Sequence, residues 1–210
     1  MSIAKATEEY IASHPSIKDC LKMGLVNYSA LSRKIIEELG LKGEKNFEAV
    51  LVASRRYVEK ARFPKAREDA IMDILKKSSL ETRSKMAVAI LDQTVPLASI
   101  IDLAKEITEE DGSFHLIEGS KTFTVITDQK FEPRISQRFK FGLIKVRKDL
   151  VEILLKAPKD IEKTCGVIGY IYSLFGENEI NILETMSSWT DTLVVIEEKD
   201  LSKAMKIFKF

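Results

Sequence analysis

The sequence predicts an α+β protein: an all-helical region over residues 1–78, then two units of element order β-α-β-β-α. Three observations carry this. Residues 2–78 show apolar positions at helical spacing, interrupted by Gly and Pro. The composition changes at Ser78-Ser79, after which Glu81 to Leu91 reads as extended. The stretch from Val151 onward then repeats the element order of the stretch from Met86.

The helices come first in the chain. Ile3, Tyr10 and Ile11 share a face of a helix that must stop before His14-Pro15, because a residue before Pro avoids the α region. Ser16 with Asp19 resembles a capping box and predicts a short helix from Ser16 to Met23, closed by Gly24. A third helix, Tyr28 to Leu39, gathers Leu31, Ile35, Ile36 and Leu39 on one face and stops at Gly40. Asn46 is the expected cap of a fourth, with Phe47, Val50, Leu51, Tyr57 and Val58 inward, and Phe63-Pro64 the expected break. A fifth runs from Ala66 to Lys77 with Ile71, Ile74 and Leu75 inward.

A short helix, Gly24, a brief turn and a longer helix fit a helix-turn-helix. Asn27, Tyr28, Ser29, Ser32, Arg33 and Lys34 open its second member, and Arg55 and Arg56 add charge on the fourth helix. These residue types bond phosphates and base edges. The same pattern also describes a plain helical hairpin with a solvated polar face.

Downstream, Asp92 to Val95 is a loop and Pro96 opens an amphipathic helix through Leu97, Ile100, Ile101 and Ala104. Phe114 to Glu118 and Thr122 to Thr127 alternate as strands, with a helix from Glu132 to Phe139 behind them. Leu143 to Arg147 reads as a strand that Asp149 turns back into Val151 to Leu155. A helix from Gly166 to Gly176, strands Ile180 to Thr185 and Thr192 to Ile196, and a helix from Asp200 follow. Aligning the two stretches puts Thr122 opposite Thr192, Phe139 opposite Phe208, and Val88–Leu91 opposite Glu152–Leu155.

The second stretch resembles an ACT domain, on Gly166-Val167-Ile168-Gly169-Tyr170-Ile171, Glu179-Ile180-Asn181-Ile182 and Asp200-Leu201-Ser202-Lys203-Ala204. The pair is similar to the tandem ACT region of aspartate kinases, so the resemblance implies two ferredoxin-like βαββαβ units, residues 79–148 and 149–210. The second lacks chain for a fourth strand. In aspartate kinases that strand comes from just before the first unit, which here means Leu80 to Lys85 pairing with the Val151 strand.

The resemblance also implies a small-molecule effector, an amino acid, bound between paired domains of a homodimer. Gly166 at a helix start offers free N–H groups to a carboxylate, or is simply a tight turn. Asn181 bonds a ligand from a strand, or faces solvent. Lys163, Thr164 and Cys165 line the same loop as Gly166 and are candidates by position.

Of the 210 residues 45% are apolar and 31% charged, a soluble globular composition. No apolar run approaches the ~20 residues that span a bilayer, and Met1 to Glu9 lacks signal-peptide order, so a cytoplasmic protein without membrane contact is expected. Cys20 and Cys165 lie far apart without CxxC spacing, which reads as reduced thiols and no metal site. The net charge is +1, with a small basic excess in the first part that suits DNA or an ordinary solvated face. No cofactor motif or catalytic residue stands out: His14 and His115 have no carboxylate at ligand spacing, and there is no phosphate loop. The expectation is a non-catalytic, allosteric regulatory protein. Its helices either bind DNA and control transcription or dock on a metabolic enzyme.

Overall fold

The computed structural model describes residues 2–60 and 65–208. The chain divides into two compact units, Met1–Lys65 and Ala66–Phe210.

Four helices build the first: α1 (Ile3–Ser13), α2 (Pro15–Lys22), α3 (Tyr28–Glu38) and α4 (Glu44–Lys60). Their apolar stripes meet at Tyr10, Ile11, Leu21, Leu31, Ile35 and Val50. Burying a Leu, Ile or Val side chain contributes about 1.5–3 kcal/mol. Ser2 caps α1 by accepting from the Lys5 N–H. The predicted start of α2 at Ser16 moves to Pro15, whose set φ and missing N–H suit the first helical position. Gly24 closes α2 at a φ of 69°, where a side chain would be strained. The predicted cap of α4 at Asn46 is not used. The helix begins at Glu44, and Asn46 instead donates its side-chain amide to the Lys42 carbonyl. The predicted break at Phe63-Pro64 lies outside the described residues.

Helix α5 (Lys65–Lys77) belongs with the second unit. It is followed by β1 (Ser79–Asp92), α6 (Leu97–Glu109), β2 (Phe114–Glu118), β3 (Thr122–Asp128), α7 (Glu132–Arg138) and β4 (Leu143–Lys156). Then come α8 (Val167–Glu177), β5 (Glu184–Ser188), β6 (Asp191–Glu197) and α9 (Leu201–Ile207). Among the described residues the strands form one antiparallel sheet in the order β2-β3-β1-β4-β6-β5.

The two central strands, 14 residues each, serve both halves of this sheet. The later part of β1 pairs with β3, while its first part pairs with the later part of β4, which in turn pairs with β6. The expected pairing is therefore present: Glu81 faces Leu154, Thr82 faces Ile153 and Arg83 faces Glu152. Each half has its four strands, the second borrowing its fourth from the start of β1.

The structure departs from three expectations. Asp149 does not turn the chain back; Leu143–Lys156 is a single strand. Asp149 sits at a φ of 54° and Lys85 on β1 at 57°, flanking register shifts in the ladder, so both strands bend at bulges without reversing. The strand expected from Ile180 begins only at Glu184. Ile180 closes α8 instead, donating its N–H to the Phe175 carbonyl behind left-handed Glu179, a Schellman ending. Asp111 and Gly112 close α6 in the same way. Finally, the repeat alignment slips by one residue on β6. Met86 pairs with Asp128 and Leu150 with Glu197, which matches Thr122 to Asp191 and not to Thr192.

Helices cover the outer face of each half. α6 and α7 pack Ile100, Leu103, Ile107 and Ile135 on Ala89, Leu91, Phe123 and Val125. α5, α8 and α9 pack Ile74, Leu75, Ile171, Phe175 and Ala204 on Val151, Ile153, Val194 and Ile196. The opposite face has its own core, made of Met86, Val88 and Ile126 from one half and Leu150, Leu193 and Val195 from the other. No helix contributes to it among the described residues. These side chains are buried because the sheet, bent at its bulges, brings its two halves toward each other.

Candidate ligand site

Directly paired residues on adjacent strands point to the same face. This sets two rungs on the inner face. In the first half His115, Ile126, Val88 and Arg147 stand side by side across β2, β3, β1 and β4. In the second half Glu184, Val195, Glu152 and Arg83 do so across β5, β6, β4 and β1. The Met86–Leu150 pair lies at the centre, so Arg83–Glu152 on one side answers Arg147–Val88 on the other.

The rungs cross. His115 Nε2 lies 3.1 Å from Glu152 Oε2, although β2 and β4 stand three positions apart in the sheet. Three strand spacings are about 14 Å, so only the bend brings these side chains together. Glu152 is 1% exposed, and Arg83 Nε lies 3.9 Å from its other oxygen. The imidazole is close but not aligned, and Glu152 Oε2 lacks a hydrogen bond. The Ser113 hydroxyl lies 3.3 Å from the same ring nitrogen. Serine and carboxylate share one nitrogen, which rules out a relay through the ring of the nucleophile–base–acid kind.

At the second crossing, where Glu184 and Val88 hold the positions equivalent to His115 and Glu152, the chain leaves a cleft of about 220 Å³, lined by Val88, Ile90, Lys145, Arg147 and the segment from Asn181 to Glu184. Burial pushes the Glu184 carboxyl above its usual range, with Arg147 opposing that shift. Among the described residues neither the Lys145 nor the Arg147 side chain makes a hydrogen bond or ion pair, and Arg147 feels Glu184 and Glu197 only at longer range. Two cations, an amide, a carboxylate and apolar side chains thus converge on a small space.

The residues singled out in the sequence separate into two places. Asn181 lines this cleft, in an irregular segment before β5. Lys163, Thr164, Cys165 and Gly166 lie beyond the other end of α8. Gly166, at a φ of 99°, is the N-cap of that 11-residue helix, which spans roughly 16 Å. Thr164 donates its hydroxyl to the Asp160 carbonyl. Lys163 and Cys165 are exposed.

In the helical unit the Asn27 side chain caps α3, accepting from the N–H groups of Ser29 and Ala30 at 3.0 and 3.1 Å. Ser32 is turned inward: it is fully buried, and its hydroxyl donates to the Tyr28 carbonyl. That leaves its side chain no path to a phosphate. Lys34 pairs with Glu38 at 2.8 Å, and the Arg55 guanidinium stands 5.8 Å from the Tyr28 ring centre. Arg33 and Arg56 are exposed.

No family model matches the chain, and no curated protein matches it significantly. Solved structures do. An aspartate kinase from Clostridium acetobutylicum, an allosteric enzyme, superposes with a TM-score of 0.51 at 13% identity, over 62% of this chain and 33% of the kinase. The sheet unit has the tandem ACT fold. A C-terminal regulatory domain of aspartate kinase from Porphyromonas gingivalis W83 matches at 0.48 and 12% identity, over 62% of this chain and 94% of its own. The aspartate kinase regulatory subunit of Thermus thermophilus matches at 0.49 and 12%, over 61% and 92%. This chain therefore spans about a third of the length of the Clostridium kinase.

Within the tandem ACT fold, Asn181 is legible in the sequence while Lys145, Arg147, Glu184 and Glu152 are not, and His115, set aside for want of a carboxylate at ligand spacing, has Glu152 Oε2 at 3.1 Å. No spacing along the chain joins them. His115 and Glu152 are brought together by register and bend, not by a motif. The signal that could have found the cleft is the duplication itself: aligned strand by strand, it sets Arg147 beside Val88 as Arg83 is set beside Glu152. No group of metal-ligating side chains occurs among the described residues, and no helix there is long and apolar enough to cross a membrane.

Proposed function

We propose that the protein is a non-catalytic, cytoplasmic regulator that senses an amino acid through two ACT-like units, residues 79–148 and 149–210. The observation that carries this reading is the cleft at the second crossing. Its volume is about 220 Å³, and it faces Lys145 and Arg147 on one side and Glu184 on the other. Opposite charges around an apolar floor suit a small zwitterion. The Lys163–Gly166 loop, at the start of α8, is the alternative place for the ligand's carboxylate. The helices of residues 1–78 carry the output, with Asn27, Tyr28, Ser29, Arg33, Lys34, Arg55 and Arg56 as the DNA-facing set of a helix-turn-helix. The protein works as a homodimer through the ACT-like region, where Phe141 and Ile144 stand exposed.

A thermal-shift screen against the common amino acids tests sensing. A ligand at 100 times its Kd stabilises by about 2.7 kcal/mol, and no shift with any of them ends the reading. Gel retardation of random DNA over a salt series tests the output, since phosphate contacts weaken steeply as salt rises. A second reading, docking on a metabolic enzyme, is favoured by exposed Met23 and Leu25 flanking Gly24 at the α2–α3 turn. Absence of retardation at low salt selects it.

A further inference from the structure

We propose that the open crossing takes one α-amino carboxylate per chain, and that Glu152 is the built-in occupant of the equivalent crossing. This rests on the sensing reading above and adds to it a stoichiometry and the equivalence of the two crossings. Both crossings have the same backbone frame, because Arg83–Glu152 and Arg147–Val88 are equivalent pairs about Met86–Leu150. In one, the chain's own carboxylate lies 1% exposed between Arg83 and His115. In the other, Val88 stands where Glu152 would, the arginine remains, and the space is open.

A carboxylate buried without full hydrogen bonding costs free energy. Its presence at the closed crossing marks a frame that accommodates an acid. The open crossing offers that frame with the acid removed. A ligand carboxylate entering it meets Arg147, whose fork suits two oxygens, and Lys145. Glu184 occupies the position of His115, as the pairs His115–Ile126 and Glu184–Val195 show, and so turns a carboxylate toward the ligand's ammonium group. Asn181 adds an amide, and Val88 and Ile90 form the floor. A volume of about 220 Å³ corresponds to roughly seven waters at about 30 Å³ each. That favours the smaller amino acids.

Isothermal titration of the full chain with each of the twenty common L-amino acids provides the test, with acetate and methylamine as half-ligands. The expected result is one bound amino acid per chain and far weaker binding of either half-ligand. Arg147→Gln and Glu184→Gln, both at solvent-accessible positions, should each weaken binding at least tenfold. Val88→Glu should abolish binding and melt higher than Val88→Gln, and this difference should vanish when Arg147→Gln is added. Failure of every amino acid to bind the wild type overturns the sensing reading and this one together. Binding that survives Arg147→Gln and Glu184→Gln, or two ligands per chain, overturns the placement and leaves sensing intact. A Val88→Glu chain no more stable than Val88→Gln removes the equivalence with Glu152.

Discussion

Replacing Glu152 by valine, the residue at its equivalent position Val88, separates two roles for a buried charge. Glu152 is 1% exposed, and its Oε2 has no hydrogen bond. Its partners are partly wet, with side chains 24% exposed for His115 and 50% for Arg83. Replacing a buried ion pair by apolar side chains of similar volume is often neutral or stabilising by 1–4 kcal/mol. Here only the acid is removed, and both of its partners, Arg83 and His115, can reach water. Valine is smaller than glutamate, so part of the gain is lost to imperfect packing. The expected outcome for Glu152→Val is a stability gain of about 1 kcal/mol. Removing the partner instead, His115→Ala, leaves the buried carboxylate with Arg83 alone. Breaking a fully buried pair costs about 3–5 kcal/mol; partial exposure of the imidazole reduces this to about 2. In Glu152→Val/His115→Ala most of that loss should disappear, because no stranded charge remains. Urea unfolding followed by Trp189 fluorescence measures this directly, since the only Trp lies in the sheet unit. A Glu152→Val chain less stable than His115→Ala would contradict this, because the carboxylate would then be a net anchor.

Three further outcomes follow from single positions. Burial raises the Glu184 carboxyl above its ordinary value, so its contribution to stability is full below the ordinary carboxylate range near ~4.3 and is lost as pH rises through the raised value. Wild type should therefore lose stability relative to Glu184→Gln as pH rises from there, in paired urea titrations; a flat difference would contradict it. Asp149→Val places a β-branched residue at a φ of 54° and should cost about 1–2 kcal/mol, whereas Asp149→Gly should not; equal melting temperatures would show that the bulge is not needed. In Gly112→Ala the new methyl meets the Phe131 ring and lies 2.6 Å from Ile107 Cγ2. It should destabilise the sheet unit by about 1–3 kcal/mol, read by urea midpoint, and a neutral result would mean that α6 and its neighbours can yield.

Much of the fold is legible in the sequence because it depends on local pattern. Alternation at Thr122–Thr127 and Thr192–Ile196 marks strands, helical spacing at Leu97–Ala104 and Leu31–Leu39 marks helices, and the structure keeps both. The borrowed strand at Leu80–Lys85 is legible too, since the second unit runs out of chain. The errors fall where local signals compete. Asp149 reads as a turn because Asp suits left-handed backbone, yet the same conformation also serves a bulge within a strand. Ile180 reads as strand by its apolar neighbours, but the helix ending takes it first. Ser32 reads as a DNA contact by residue type alone, and packing turns it inward.

Fold class, element order and duplication are written locally into the chain, because each is set by periodicity and turn chemistry within a few residues. Which side chains meet depends instead on long-range packing. One residue of register separates one face of a strand from the other, and two bulges decide that the halves of one sheet face each other. From those long-range choices come the meeting of His115 with Glu152, and the open cleft that gathers Lys145, Arg147, Asn181 and Glu184.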